Sequence, residues 1–183
     1  MSKNHKFKIH NIDGNIFNYL ETVINNNKGS SIVVPHVCNN INVFGAGFAA
    51  SLTNKYPIVK ENFHLLGNKT KLGYVQFIKV LENKEYQHQL FFANMIAQNG
   101  TISHSNKRPL NYEALLKCMI SVRDFAQQIK DKYDTSVEIH APKFGSGLSG
   151  GKWDFINSLI EDVWHNQKVF IYHYKPSKIL SRS

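Results

Sequence analysis

The sequence predicts an α/β fold in which a mixed β-sheet lies between helices. Two observations carry this prediction: segments of strand character alternate with segments of helical periodicity along most of the chain, and one polar connection joins two successive strand segments directly. Such alternation is typical of sheets that helices cover on both faces. The length of 183 residues and the hydrophobic fraction of 42% suit one domain of ordinary size.

The first part of the chain predicts a strand, a helix and a second strand. Lys6 to Ile12 alternates polar and apolar residues before an Asp-Gly turn, and apolar residues then recur at helical spacing from Ile16 to Ile24. The β-branched run Ser31 to Val37 predicts a central strand that is covered on both faces. Because proline has no N–H group, Pro35 predicts that this strand bends or ends early.

The middle of the chain predicts a helix, a hairpin and a second, longer helix. A helical pattern runs from Gly47 to Lys55, and the strand segments Gly73–Leu81 and Gln89–Ile96 are joined by a polar connection, so we expect them to pair antiparallel. A long polar loop, Gln98 to Leu110, then ends at Asn111, a good N-cap for an amphipathic helix.

The last part predicts a strand, a helix and a final strand. Val137–Ala141 and Val169–Tyr174 have strand character, and Lys152–Trp164 places apolar residues on one helical face. We therefore expect a single domain over residues 1–183, with a core of about residues 6–174 and a short C-terminal tail.

Net charge is the strongest signal in the composition. The chain has 22 Lys and Arg against 13 Asp and Glu, a net charge of +9, which favours anionic partners. Because the basic residues are scattered, a dedicated DNA-binding element is not indicated and nucleic acid is not a required partner. The longest apolar stretches are far shorter than the roughly 20 residues of a membrane-spanning helix, so no membrane partner is expected.

The N-terminus and the cysteines both favour the cytoplasm. The basic residues at the N-terminus are not followed by the apolar core and cleavage site of a secretory signal. Cys38 and Cys118 form neither a disulfide framework nor a C-x-x-C pair, so we expect two reduced thiols.

Two glycine-rich loops, Phe44–Ala50 and Phe144–Trp153, each join a strand to a helix. Glycine lets the backbone approach a ligand, and a helix N-terminus favours an anion. The first loop satisfies the G-x-G-x-x-A pattern of dinucleotide sites but lacks the other features of that site, and a tight turn without a ligand remains an alternative. The second loop departs from a Walker P-loop at Ser146 and Trp153. Together the loops predict two backbone cradles around one diphosphate.

Four segments carry a more specific signal: Pro35–Asn40, Val43–Ala49, Lys55–Pro57 and Pro142–Trp153. Together they resemble the macro domain family, and most closely its branch of ADP-ribose 1''-phosphate phosphatases and the terminal ADP-ribose protein glycohydrolase. The resemblance spans almost the whole chain. It implies a three-layer α/β/α sandwich with ADP-ribose lying across the carboxyl ends of the strands.

The resemblance also implies which residues contact the ligand. The two loops are expected to hold the diphosphate and the distal ribose from opposite sides, and two asparagines after the second strand are expected to meet the distal ribose. These residues are Gly45, Ala46, Gly47 and Phe48 in the first loop, Phe144, Gly145, Ser146, Gly147, Leu148 and Ser149 in the second, and Asn39 and Asn40 after the strand.

The adenine end of the ligand is expected after the first strand. Family members carry Gly-Asp-Ile there, where this chain has Gly14, Asn15 and Ile16. The Asn15 amide can hydrogen-bond the adenine amino group, with Asp13 as an alternative. Tyr174, at the end of the last strand, is expected to stack on the base.

The catalytic residues of the glycohydrolase are not matched. Its lysine after the fourth strand and its aspartate in the second glycine loop correspond to Gln98 and Ser149, which provide neither a lysyl intermediate nor a carboxylate. Removal of ADP-ribose from a macromolecule is therefore the least favoured reaction.

Hydrolysis of the terminal phosphate of ADP-ribose 1''-phosphate is the first expectation. His36 is the candidate general base, because imidazole titrates near neutral pH, and Asn39 is the second candidate catalytic residue. The alternative is a non-catalytic binder of ADP-ribose, of ADP-ribosylated macromolecules or of a related nucleotide. Cys38 has no evident base and is expected to be a small buried residue. No cofactor is expected, and no His or Cys spacing requires a metal.

Overall fold

The computed structural model of this chain describes residues 7–26, 30–67, 70–83 and 88–175. Over these residues strands and helices alternate, apart from one direct connection between two strands and one between two helices. The strands are β1 (Ile9–Asp13), β2 (Ser31–Asn39), β3 (Val75–Asn83), β4 (His88–Gln98), β5 (Val137–Pro142) and β6 (Lys168–His173). The helices are α1 (Ile16–Asn26), α2 (Phe48–Lys55), α3 (Pro57–Leu65), α4 (Tyr112–Tyr133) and α5 (Trp153–Val163).

The strands form one mixed sheet in the order β1-β6-β5-β2-β4-β3. The pair β3 and β4 is antiparallel, as predicted for the hairpin, and all other neighbours are parallel. One hydrophobic cluster joins the sheet to α4 and α5, and a second joins its other face to α1, α2 and α3. The three-layer α/β/α sandwich expected from the sequence is therefore confirmed.

Strand β4 is covered by helices on both faces of the sheet. Phe91 and Met95 belong to the cluster on the α4 face, whereas Phe92 and Ile96 belong to the opposite cluster. Because side chains alternate between the faces and both faces are covered, every residue of β4 except Gln98 is buried.

Helix α4 begins where its sequence predicts. The Asn111 side chain accepts a hydrogen bond from the Ala114 N–H at 2.8 Å, which satisfies one of the free N–H groups of the first turn. Trp164, after α5, is fully buried and donates its ring N–H to the Met119 carbonyl at 2.8 Å. Trp164 therefore ties α5 to α4.

The prediction that Pro35 ends β2 early is wrong, since the strand continues to Asn39 with Pro35 buried; a bend at Pro35 stays a prediction. The Ser31 N–H points towards β5, where it donates to the Ser136 carbonyl, and every second residue of a strand points the same way. The missing N–H of Pro35 therefore faces β5, but β2 pairs with β5 only from Ser31 to Val33. No ladder hydrogen bond is lost.

Two further points concern element boundaries. Strand β1 begins at Ile9, and the predicted start at Lys6 lies outside the described residues. The apolar stretch after Pro57 is a helix, α3, with the proline in its first turn, where the absent N–H costs nothing. Within the described parts of the chain, no helix is long and apolar enough to cross a membrane.

Candidate functional site

A cavity of about 330 Å³ opens at the carboxyl ends of β2 and β5, between the two glycine loops. Its volume lies within the usual range of small-molecule sites, roughly 300–1,000 Å³. The chain leaves β2 towards one edge of the sheet and leaves β5 towards the other edge. The crevice between two such strands is the usual ligand site of open α/β sheets. The predicted site residues that line it are His36, Asn39, Gly45, Ala46, Gly47, Phe48, Phe144, Gly145, Gly147, Leu148 and Ser149.

The first glycine loop is held in shape by Asn39. The amide of this side chain donates to the Val43 carbonyl at 2.6 Å and accepts from the N–H groups of Ile41 and Val43 at 3.2 and 3.1 Å. Asn42 completes the turn with a left-handed backbone at φ 60°. Asn39 therefore lines the cavity, but its amide is already engaged by the loop backbone.

Helix α2 presents its N-terminus at the end of this loop. Its N-cap is Gly47, in a left-handed conformation at φ 57°, and no side chain caps the helix. The first N–H groups of α2 are therefore available to an anion in the cavity, which the helix dipole also favours.

The glycines of the second loop differ in what surrounds them. A Cβ at Gly150 would lie 2.6 Å from the Lys107 carbonyl oxygen, and one at Gly151 would lie 2.5 Å from the Gly145 carbonyl oxygen. Apart from chain neighbours, no heavy atom of the structure comes within 4 Å of a Cβ placed at Gly147 or at Gly45. Packing thus explains Gly150 and Gly151, whereas Gly45 and Gly147 leave cavity space that a ligand can fill.

His36 lies at the floor of the cavity and is 2% exposed. Its Nε2 lies 2.5 Å from Asn94 Oδ1, and Asn94 in turn donates its amide to Gln76 Oε1 at 3.1 Å. Since this leaves the Asn94 oxygen as an acceptor, Nε2 carries the proton of the neutral ring. Burial lowers the pKa of His36 to about 4, although the hydrogen bond to Asn94 acts in the opposite direction.

Burial makes His36 a weaker base than a free imidazole, and its expected role as a general base stays a prediction. A pKa near 4 makes the ring a weak base at neutral pH, and its Nδ1 lies 3.8 Å from the Cys38 thiol. The ring also packs against Phe44 and Phe48, with centroid separations of 5.8 and 5.4 Å. His36 therefore packs against the first glycine loop at the end of β2.

Cys38 is buried, and burial raises the pKa of its thiol well above the ordinary value. A thiol of this kind carries almost no thiolate at neutral pH and is a poor nucleophile. Both cysteines are free. The interpretation of Cys38 as a small buried residue is confirmed.

Gln98 and Ser149, which are 51 positions apart, meet at the side of the cavity. Ser149 donates its hydroxyl to Gln98 Oε1 at 2.7 Å, and both residues line the cavity. The pair links the second glycine loop to the end of β4. It offers hydrogen bonds to a ligand but no charge.

Lys143 is the one charged residue among the described residues that line the cavity. It is exposed and lies at the rim, between β5 and the second glycine loop. An anion in the cavity would therefore meet one ammonium group together with the backbone N–H groups of the loops. Among the same described residues, no cluster of His, Cys, Asp or Glu is suited to hold a metal ion.

Five predicted site residues do not line the cavity. Asn15 accepts a hydrogen bond from the Phe17 N–H at 3.0 Å at the start of α1, and Ile16 is buried in the core. Asn40 binds the loop after β4, while Tyr174 is 60% exposed beyond β6, and Ser146 is half-buried in the second loop. Their expected ligand contacts remain predictions.

The loop after β4 supplies cavity residues that the sequence did not reveal. Thr101 and Ile102 line the cavity from this loop, which has no periodic pattern to mark them. The loop is anchored by Asn40, whose Oδ1 accepts from the Gly100 N–H at 2.8 Å, and by Asn106, which donates to the Asn99 and Thr101 carbonyls. His104 is exposed in this loop and does not line the cavity.

Sequence comparison links the chain to phage and fungal proteins. No protein-family model matches the sequence. An uncharacterised 17.5 kDa protein of Enterobacteria phage T4 is 26% identical over 146 residues, which cover 78% of this chain and 86% of that protein. An ADP-ribose 1''-phosphate phosphatase of Lodderomyces elongisporus is 27% identical over 148 residues, which cover 74% and 82%.

Structural comparison gives the fold. A macrodomain protein of Streptomyces coelicolor superimposes with a TM-score of 0.66 at 23% identity, over 92% of this chain and all of that chain. Thermosipho africanus DarTG, solved in complex with ADP-ribose, superimposes with a TM-score of 0.61 at 16% identity, over 92% and 53%. The resemblance predicted from the two glycine loops is thus confirmed, and this chain has the fold of the macrodomains.

Proposed function

We propose that this chain binds ADP-ribose in the cavity between the two glycine loops. The observation that carries the proposal is the open space beside Gly45 and Gly147, on loops that follow β2 and β5 and face one another. A diphosphate placed there is approached by backbone N–H groups from both sides, by the uncapped start of α2 and by Lys143.

The apolar lining suits the remainder of such a ligand. Val43, Ile102 and Leu148 are about half exposed and surround the cavity mouth. Leu148 also reaches across to the first loop, where its Cδ1 lies 3.6 Å from the position of a Cβ at Gly47. Contact with a bound nucleotide would remove these side chains from water, which stabilises the complex.

Two kinds of relative support this ligand. The fungal relatives carry the name ADP-ribose 1''-phosphate phosphatase, and the structure of Thermosipho africanus DarTG was determined with ADP-ribose. Both descriptions contain ADP-ribose, which carries the diphosphate that the two loops are proposed to hold.

Hydrolysis of the terminal phosphate of ADP-ribose 1''-phosphate is the finer proposal, favoured by the names of the fungal relatives. The neutral His36 gives little base catalysis, so the reaction would depend on holding the phosphate and a water in place through the loop N–H groups and Lys143. The alternative is capture of ADP-ribose, free or attached to a macromolecule, without turnover.

Removal of ADP-ribose from a macromolecule is not part of the proposal. The positions where the resemblance places a lysine and an aspartate hold Gln98 and Ser149, which are hydrogen-bonded to one another. Neither side chain can form a covalent intermediate with the ribose or transfer a proton as a carboxylate does.

A phosphorus NMR time course of ADP-ribose 1''-phosphate with the purified protein tests both the proposed binding of ADP-ribose and the proposed hydrolysis of the terminal phosphate. Growth of inorganic phosphate at the expense of the 1''-phosphate signal establishes the phosphatase. Shifted or broadened diphosphate lines without phosphate release establish a binder and remove the hydrolysis proposal. Unchanged diphosphate lines contradict ADP-ribose binding itself.

A further inference from the structure

A strip of cationic and aromatic side chains leads away from the cavity rim along the start of α5. It consists of Lys143, Trp153, Lys152, Phe155, Tyr112 and Arg108, and we call it the α5 strip. Lys143 lines the cavity and places its Nζ 5.2 Å above the Trp153 ring. The strip therefore begins at the mouth of the proposed ADP-ribose site.

Direct contacts connect the rest of the strip. The Lys152 N–H donates to the Tyr112 hydroxyl at 2.9 Å, and the rings of Tyr112 and Phe155 meet edge to face with centroids 4.7 Å apart. Arg108 lies over the Tyr112 ring with its Cζ 5.0 Å from the centroid. Lys152, Trp153 and Phe155 also line a shallow groove, together with Asp154 and Ser158.

Phe155 is the aromatic ring that the strip offers to a partner. It is 47% exposed, although it lies on an amphipathic helix whose Ile156 and Ile160 are fully buried. Trp153, in contrast, is half-buried and packs against the hydrophobic core, so it offers less of its ring to a partner. An exposed phenylalanine alone is ordinary, but one flanked by free cations is a feature of surfaces that bind nucleic acid.

The strip has an excess of positive charge. Lys143, Lys152 and Arg108 are exposed, and none of them takes part in the ion pairs formed between described residues. Asp154 is the carboxylate in the groove, and the neighbouring Glu113 is paired with Lys117 at 2.8 Å. A polyanion lying on the strip would therefore meet three uncompensated cations and one carboxylate.

We propose that the α5 strip binds single-stranded nucleic acid, with phosphates next to Arg108, Lys152 and Lys143 and a base stacked on Phe155. Every unit of such a strand has both a phosphate and a flat aromatic face, which matches the alternation of cations and rings in the strip. An acidic polypeptide satisfies the cations but leaves Phe155 without a stacking partner. The surface shares Lys143 with the proposed ADP-ribose site, but Arg108, Lys152 and Phe155 do not line that site.

The test is the fluorescence anisotropy of a labelled 12-nucleotide strand, as DNA and as RNA, titrated with the full chain at several salt concentrations. The double variant Arg108→Gln, Lys152→Gln should weaken binding and lower the slope of log K against log salt by about 1.4, since each phosphate contact contributes roughly 0.7. The matched control is Lys60→Gln, Lys130→Gln, which removes the same charge from α3 and α4 and should change the slope little.

A separate variant tests whether a base stacks on Phe155. Phe155→Ala should weaken binding about 5- to 100-fold, the range for loss of one base–aromatic stack. On an abasic strand of the same length, the wild-type chain and Phe155→Ala should bind equally.

The proposal is overturned if neither strand binds at low salt, or if the strip variant and the control variant lose equal affinity. Binding of an abasic strand or of polyglutamate as tightly as the full strand also overturns it, because stacking would then contribute nothing. Free ADP-ribose should bind the two strip variants as it binds the wild type, so failure of this proposal is distinguishable from failure of the proposed function.

Discussion

The glycines of the two loops divide by what surrounds their missing side chains. Gly150 has a left-handed φ of 74° and touches the backbone at Lys107, so the fold itself needs a glycine there. Gly147 has neither a left-handed φ nor a close neighbour across the fold, and it lines the cavity. The sequence shows both as members of one glycine-rich run, and only their surroundings tell a packing glycine from a ligand-facing one.

Replacement of Gly147 by valine should reduce ADP-ribose affinity at least about 10-fold, because the new side chain fills cavity space. The free energy of unfolding should change by no more than about 0.5 kcal/mol, as for surface substitutions that create no contact. Isothermal titration with ADP-ribose and urea unfolding measure the two quantities. Unchanged affinity would show that the ligand does not pass Gly147.

Replacement of Gly150 by alanine, unlike that of Gly147 by valine, should lower the free energy of unfolding. The left-handed backbone and the 2.6 Å approach to the Lys107 carbonyl oxygen should cost about 1–3 kcal/mol of unfolding free energy. Urea unfolding of Gly150→Ala beside Gly147→Val measures the difference. If both variants unfold like the wild type, the division of the glycines is incorrect.

The pair Gln98 and Ser149 should act as one unit in ligand binding. Because Ser149 donates to Gln98 at 2.7 Å, either Gln98→Ala or Ser149→Ala releases the second loop from β4. We expect a coupling of about 0.5–1.5 kcal/mol in ADP-ribose binding, the worth of one hydrogen bond. A double-mutant cycle by isothermal titration gives this number. A coupling of zero would mean that the hydrogen bond does not position the loop.

At the scale of the elements, helix α4 shows how far local sequence determines structure. Asn111 and the apolar spacing that follows it are both local signals, and both are found in place. Pro35 shows the limit of such signals, because its effect depends on which neighbour its missing N–H faces. That neighbour is β5, which lies about 100 positions further along the chain.

The N-cap of α4 makes a quantitative prediction. Asn111→Ala should lower the free energy of unfolding by about 1 kcal/mol, since the first-turn N–H of Ala114 loses its partner. Gln127→Ala, on the exposed face of the same helix, is the control and should change stability by less than half as much. Urea unfolding followed by circular dichroism provides both values.

The loops of the candidate site could be predicted from the sequence, but the hydrogen bonds between distant segments that complete it could not. Glycine loops before helices are local patterns, and 11 of the 16 predicted site residues line the cavity. The Ser149 to Gln98 and Asn40 to Gly100 hydrogen bonds join residues 51 and 60 positions apart, and no local pattern marks such partners. For the same reason the burial that weakens His36 as a base was not visible in the sequence.

At the scale of the whole molecule, buried histidines couple stability to pH. The pKa of His36 is lowered by burial to about 4, and burial also lowers the pKa of His140, opposed by its hydrogen bond to Glu138. An unfolded histidine titrates near 6.5. Between pH 6.5 and pH 4 the unfolded chain therefore binds protons that the folded chain does not, and folding loses stability as the pH falls.

His36 alone should lower the free energy of unfolding by about 3 kcal/mol between pH 7 and pH 4. Urea unfolding at a series of pH values measures this loss. His36→Gln should flatten the profile, whereas His104→Gln, at an exposed position, should leave its shape unchanged. An equal slope in His36→Gln would show that other groups cause the acid sensitivity.

The short pairing of β2 with β5 has a consequence for the mechanics of the molecule. Within the described residues, backbone pairing between the half-sheet β1-β6-β5 and the half-sheet β2-β4-β3 is limited to Ser31 to Val33, and the cavity opens beyond them. The edge of each half carries one of the glycine loops. A ligand that touches both loops therefore bridges the two half-sheets where their backbone hydrogen bonds end. Amide hydrogen exchange in β2 and in β5 should slow together when such a ligand binds.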